Sequence, residues 1–316
     1  MTKAVLIIGH AADPHLQRVQ AILEARGVVA LVLAPAVSNP PTRITYSYAD
    51  GTCTFEARGD RQSVRRRDVT AVWWRLKPLH LDAEPTPEQR FAFGEWQQAL
   101  EGLEAVLPDT RWVNPRHVDR RARHKVVQLI EASRCGFAIP PTLISNDPDQ
   151  VLAQLASCEH GAIYKSLNAY IQPPDKILYT NRITGEFVAA NRESVALAPG
   201  IFQPLVPKAY ELRITVVGRS VFPVRIDSQK SLTTELDWRR DYDALSYSLI
   251  QLPEVVWDRL LRLHAALGLV FGAYDFIVTP QQEHVFLEVN PVGAWLWLED
   301  TLGIGVSQAL AELLAE

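Results

Sequence analysis

The sequence predicts an α/β protein made of more than one unit, and three observations carry that prediction. An apolar run, Ala4 to Ile8, is followed by an amphipathic stretch, Pro14 to Arg26, and then by a second apolar run, Val28 to Leu33. That is the pattern of a buried parallel strand, its crossover helix and the next strand. The second half instead offers strand pairs: Glu211 to Gly218 with Ser220 to Ile226, and Gly272 to Val278 with Val285 to Pro291. Finally, 316 residues with 47% hydrophobic and 22% charged content have room for several subdomains and match ordinary globular composition.

Bulk properties exclude several classes. A net charge of -4 argues against general nucleic-acid binding. Cys53, Cys135 and Cys158 are odd in number and far apart, so neither a disulfide framework nor a zinc site is indicated. Neither a signal-peptide core nor a membrane span is present, and a reducing cytoplasm is the expected compartment.

Taken in order, Gly9 after the first strand is not part of a Gly-x-Gly-x-x-Gly run, so no dinucleotide fingerprint opens the chain. Pro40 to Asp68 is polar and turn-rich, with alternation that suggests a hairpin ornament. Arg65-Arg66-Arg67 there fits a solvated turn better than an anion site. Val69 to Arg75 is a strand whose Trp73-Trp74-Arg75 end reads as a core pair or the wall of a ligand site. Thr86-Pro87-Glu88-Gln89 has the cap, the N1 proline and the capping-box glutamine of a helix start, predicted to run to about Leu107. A boundary near residue 115 follows.

A helix from about Val118 to Arg134 carries Lys125 and stops at Gly136. Thr142 to Ser145 is a short strand, and Asp147-Pro148 starts a helix ending near Ser157. Ala162 to Leu167 is a strand with Lys165 inside it; a lysine in an otherwise buried strand needs a partner and reads as an anion ligand. Ile177 to Thr184 and Glu186 to Ala190 suggest a hairpin turned at Gly185. Ile201 to Pro207 is a strand entering a linker, the polar and aromatic Asp237 to Tyr242 a loop near the site, and Pro253 to Leu267 an amphipathic helix. A last helix runs from about Gly305 to Leu314. His10 and His15 flank the first strand-to-helix turn in a loop role.

The chemistry concentrates in the late hairpin. Centred near Gln281 and Gln282, it puts Asp275 opposite Glu288, with Asn290 on the same face by the two-residue strand period. Facing carboxylates repel unless a cation joins them, and an Asp/Glu/Asn set without His or Cys is hard-oxygen chemistry suited to Mg²⁺.

The order of Lys125, Lys165, Phe202-Gln203, Glu211-Leu212-Arg213, Asp275 and Phe286-Leu287-Glu288-Val289-Asn290-Pro291 resembles the ATP-grasp ligase superfamily. More closely, the run from Asn290 to Glu299 with its Trp295-Leu296-Trp297 is similar to the microviridin-type ligases that form graspetides, as are Trp112 to Pro115 and Ile139 to Asp147. The resemblance spans roughly the whole chain. It implies an ATP-grasp fold: an N-terminal α/β pre-ATP-grasp domain (1–115), a central small α+β domain (116–204) and a C-terminal mixed-sheet domain with the metal site (205–316).

By that resemblance Lys125 and Lys165 bind nucleotide phosphates, and the backbone from Gln203 through Leu205 to Val206 meets the adenine. Glu211 accepts from the ribose, while Asp275, Glu288 and Asn290 hold Mg²⁺. Arg213 and Arg239, or Arg240 in place of Arg239, face the transferred phosphoryl group. The implied activity is an ATP-dependent ligase. It phosphorylates Asp or Glu carboxylates of a ribosomal precursor peptide and cross-links them to Ser/Thr hydroxyls or Lys amines. A RimK-type ligase adding a free amino acid is the alternative, and a non-catalytic binding module the third reading. Expected partners are a leader-plus-core precursor and a second copy of the chain as a homodimer candidate, with no nucleic acid and no membrane. The leader is expected to dock near the Ile177 to Ala190 hairpin. No Gly-x-x-x-x-Gly-Lys-Ser/Thr loop exists, so ATP would be held by lysines, metal and strand backbone. The stretch Ser166 to Pro174, where many ATP-grasp enzymes carry a glycine-rich flap, has no glycine.

Overall fold

The computed structural model describes residues 3–35, 42–50, 52–59, 63–76, 86–168, 171–172, 176–177 and 179–316. Parts of the expected ornament (40–41, 51, 60–62), of the glycine-free stretch (169–170, 173–174) and residue 178 lie outside the described residues.

The first third holds β1 (Ala4–Ile8), α1 (Pro14–Ala25), β2 (Val29–Leu33), β3 (Arg43–Ala49), β4 (Thr52–Arg58), β5 (Ser63–Arg65), β6 (Val69–Trp74), α2 (Pro87–Glu101), α3 (Leu103–Val106) and β7 (Arg111–Val113). Strands β2-β1-β6-β7 form a parallel sheet, and β3-β4-β5 an antiparallel ornament. Both faces of the parallel sheet are covered, which is why β1 reads as an unbroken apolar run. Ala4, Leu6 and Ile8 pack toward the ornament and α2, while Val5 and Ile7 face α1 and the end of the chain. Thr86 caps α2 with Gln89 in a capping box, as the sequence predicts. The helix pauses at Gly102 instead of continuing to Leu107.

Next come α4 (Arg116–Arg123), α5 (Lys125–Arg134), β8 (Leu143–Ser145), α6 (Pro148–Ala156), β9 (Ala162–Lys165), the pair β10 (Ile171–Gln172) and β11 (Lys176–Ile177), β12 (Asn181–Ile183), α7 (Gly185–Ala190), α8 (Arg192–Leu197) and β13 (Gly200–Pro204). The antiparallel sheet β12-β9-β13-β8 is backed by α6 and α7. Two expectations change here. The single helix around Lys125 is broken at His124, whose extended backbone makes Lys125 the first residue of α5. Glu186 to Ala190 is helical, because Thr184 accepts from the backbone N–H of Phe187 and starts α7; β12 pairs with β9 instead. Local capping outweighs the strand tendency of Phe187 and Val188.

The remainder contains β14 (Tyr210–Val217), β15 (Ser220–Ile226), β16 (Tyr247–Leu249), α9 (Glu254–Ala266), β17 (Phe271–Val278), β18 (His284–Asn290), α10 (Leu296–Leu302) and α11 (Val306–Ala315). Its antiparallel sheet runs β16-β15-β14-β17-β18. Strand parity divides this sheet. Leu212, Ile214, Tyr274 and Phe276 face a core built with α4, α5 and α9, leaving Glu211, Arg213 and Asp275 on the other side. Residues 116–137 therefore pack with this third sheet, although they precede the central one.

Within that core His264 is buried, its Nδ1 2.8 Å from the Tyr274 hydroxyl, and burial pushes its imidazole down from 6.5 to about 4. The unfolded chain binds a proton that the folded state refuses. This contribution is thus intact above pH 6.5 and lost as pH falls toward about 4. The loss amounts to roughly 3 kcal/mol. Urea denaturation across that window should show His264→Gln with a flatter pH dependence than the parent; equal slopes would refute the assignment.

Candidate functional site

One cleft of about 290 Å³ lies between the central and third sheets, and Lys125, Lys165, Gln203, Leu205, Val206, Glu211, Arg239, Asp275, Glu288 and Asn290 all line it. Residues drawn from β9, β13, β14, α5, β17 and β18 thus meet in one place. Arg213 sits just behind the wall, with both Asp275 oxygens 2.8 to 2.9 Å from its Nη1 and its Nη2 donating to Ala294 O.

The hairpin has the register read from the sequence, with Asp275 opposite Glu288 and Ala273 opposite Asn290. A bulge makes it possible. Phe276 pairs with Phe286, and the register then shifts, so that Glu288 points into the cleft although Phe286, two residues earlier, points into the core. Gln128 secures the outer strand: it donates to Val289 O and accepts from Val289 N, while its Nε2 also reaches Ala122 O.

Charges in the cleft are matched pairwise, with one exception. Lys125 pairs with Glu288, Lys208 with Glu211, Arg239 with Asp237 and Arg213 with Asp275. Lys165 has no carboxylate within ion-pair distance among the described residues, and burial pulls its ammonium below the ordinary lysine value, partly opposed by Glu288. Lys125 holds the Glu288 carboxyl at about 2, whereas burial raises Asp275 against the pull of Arg213. Burial opposes ionisation of Asp237 too, yet Arg239 and backbone N–H groups keep it well below the usual carboxylate range.

At the hinge, Leu205 N–H already donates to Gly161 O, so Val206 keeps a backbone donor that no described group takes up. Gln203 donates to Thr142 Oγ1, and its buried Oε1 has no partner among the described residues. Glu211 Oε1 accepts from Lys208 and Ser228. Arg239 and Arg240 separate in space. Arg239 turns to the cleft, whereas Arg240 donates to Thr180 O and Asn181 Oδ1. As a metal set, Asp275, Glu288 and Asn290 offer oxygens only, two of them facing carboxylates, which fits a hard divalent cation; Asn290 Oδ1 also accepts from Val292 N.

Sequence reasoning put Asp237 and Trp238 in a loop near the site without a role, and missed Lys208 and Gln128. Asp237 two residues before Arg239 and Lys208 three before Glu211 were readable as local ion-pair spacings. Gln128 carried no signal, since its partner is the backbone of a strand 161 residues away.

No protein-family model and no curated protein sequence matches the chain. Solved structures do. Macrocyclase MdnC bound with precursor peptide MdnA, from Microcystis aeruginosa MRC, superposes with a TM-score of 0.86 at 30% identity over 98% of this chain and 99% of its own. A RiPP-associated ATP-grasp ligase from Chryseobacterium gregarium, in complex with ADP and a leader and core peptide, gives 0.86 at 26% identity over 99% and 96%. Macrocyclase MdnB from Microcystis aeruginosa MRC gives 0.79 at 29% over 99% of both chains.

The loop after Asn290 is fitted closely. A Cβ on Gly293 would lie 2.4 Å from the Ala273 Cβ and 2.8 Å from Arg213 Nη2. Gly293→Ala should therefore push Arg213 or the strand aside and destabilise the fold by about 1–3 kcal/mol, the range for overpacking. Urea denaturation reads this, and a stability equal to the parent's would show that the approach is loose.

Proposed function

The chain belongs to the family of ATP-grasp macrocyclases that modify ribosomally made peptides, and from that premise we propose that it uses ATP and Mg²⁺ to join side chains within a precursor peptide. A carboxylate oxygen of Asp or Glu attacks the γ-phosphorus and ADP leaves. A Ser or Thr hydroxyl, or a Lys amine, then attacks the acyl carbon, and phosphate leaves with the original carboxyl oxygen. Each ring costs the peptide one water.

The observation that carries this reading is the unpaired Lys165 in a cleft where each carboxylate has a cation. A lysine so placed is matched by an anion from outside, and a triphosphate fits. Lys125 at the first turn of α5 supplies a second ammonium beside it. The Val206 N–H and the wall of Leu205 and Ile163 suit an adenine, and Glu211 suits the ribose hydroxyls. Bound by Asp275, Glu288 and Asn290, Mg²⁺ would supply positive charge where the phosphoryl group is transferred. Arg239 and Arg213 flank the same point. Two anions must approach there, so preorganised cations do the work that a nucleophilic side chain does in other enzymes.

The leader docks, on this reading, beside α7 and α8, where Phe187 is 57% and Leu197 85% exposed. Domain limits at 115 and 204, with residues 116–137 of the middle stretch packed on the third sheet, and a cytoplasmic site of action complete the proposal; among the described residues no helix is long and apolar enough to cross a membrane.

Purified protein with ATP, Mg²⁺ and its cognate precursor peptide should yield a product lighter by one water mass per ring in mass spectrometry. An unmodified peptide overturns the proposal, and a mass gain would mean addition of a free amino acid. Glu288→Gln should abolish ADP formation with the circular-dichroism spectrum unchanged. Lys165→Ala should weaken ADP binding in calorimetry by about 1.5–3 kcal/mol, the scale of one charge-assisted contact; undiminished affinity would remove Lys165 from the phosphate site.

A further inference from the structure

Among the described residues, β12 of the central sheet and Thr180 before it meet the third domain through a compact set of contacts. Thr180, 6% exposed, has both sides of its peptide gripped. Its N–H donates to Asp237 Oδ2 at 3.0 Å, and its carbonyl accepts from Arg240 Nη2 at 2.6 Å. Arg240 also donates to Asn181 Oδ1 and lies over the Tyr179 ring at 5.4 Å. One step along β12, Arg182 reaches Glu235 at 2.8 Å. Asp237, 4% exposed, is the pivot. It caps the turn Trp238–Arg240 through Arg239 N and takes Arg239 Nε and Nη2 at 2.8 and 2.6 Å.

Arg239 is thus bracketed by the two residues that hold Thr180. We propose that Asp237 and Arg240 are positioning residues forming a latch, which couples closure of the central sheet over the cleft to the placing of Arg239. The proposal rests on the role given to Arg239 in the proposed function. When the central sheet lies against the third domain, the Thr180 N–H fixes one Asp237 oxygen, and the carboxylate presents its guanidinium partner toward Asp275 and Glu288. Movement of the sheet away from the cleft breaks both bonds to Thr180 and leaves Asp237 and Arg239 to turn together. Full positive charge at the transfer point then requires a closed cleft, which disfavours phosphoryl transfer to water in the open state. The chemistry of the latch is local: a carboxylate for a backbone donor, a forked guanidinium for a carbonyl, and an aromatic face to stack on.

Arg240 is the residue to change, since it stands outside the cleft. Arg240→Ala should speed hydrogen exchange of segment 179–183 at least about fivefold while β14 exchanges as before. It should lower kcat for ADP formation with the cognate precursor peptide about tenfold or more, with the Kd for ADP and Mg²⁺ changed less than about threefold. Arg240→Lys, which keeps a donor for Thr180 O but loses the fork, should recover part of both effects. Asp237→Asn should reproduce the fall in kcat. Unchanged exchange at 179–183, an unchanged kcat, or a loss confined to ADP affinity would each overturn the latch. Should the parent protein form no ADP with that peptide, the proposed function fails, while the exchange measurement still decides the latch.

Discussion

Asp275 and Glu288 oppose each other across an antiparallel ladder, and the repulsion between them sets the requirements for the charged groups around the cleft. Two carboxylates at that spacing in a half-dry site cannot both ionise without cations. The protein brings them from separate parts of the chain: Arg213 from the neighbouring strand, Lys125 from the start of a helix, Lys165 and Arg239 from across the cleft. A ligand rich in negative charge and its metal fit because they join an existing balance of charges, one in which positive groups already crowd the point where phosphate would sit. The bulge at Leu287 is the backbone condition for this. With regular alternation, the side chain of Glu288 would share the face of Phe286 and enter an apolar core.

Much of this was legible in the sequence because it is written in local patterns. Strand periodicity alone placed Asp275, Glu288 and Asn290 on one face, and the Thr86 capping box started its helix where expected. Where the reading departed from the structure, competing local signals were in play. Glu186 to Ala190 has strand-like side chains, but Thr184 offered a cap and the helix won. The break at His124 left no mark, since nothing in Arg116 to Arg134 breaks a helix by composition; Gln128, bonded to Ala122 O and to Val289 on β18, spans that break. Long-range partners such as Gln128 for Val289, or Asp237 for Thr180, involve backbone atoms and so leave no residue-type signature at one end.

The first sheet contributes no lining to the cleft, yet it fixes the loop beyond Asn290. Arg75, fully buried, donates to Asp13, Val292 O and Gly293 O and lies over the Trp295 ring. His15 Nε2 accepts from the backbone N–H of Trp295 and Leu296, and Asn114 donates to Phe271 O and Pro291 O while accepting from Val270 and Phe271. Polar side chains of the first domain thereby replace the regular ladder that ends at Asn290, and Ala294 O is held where Arg213 can reach it. A buried polar network of this kind fixes geometry more than it adds stability.

Helix α11 packs back on the first sheet: Val306, Leu310, Ala311 and Leu314 share with α1 the face that carries Val5 and Ile7. During vectorial synthesis α1 can cover part of that face at once, but the rest stays open until α11, made much later, has left the ribosome. A nascent chain therefore carries part of a sticky surface for the whole interval between the making of β1 and of α11, and chaperones that shield such surfaces can act on the first sheet throughout it.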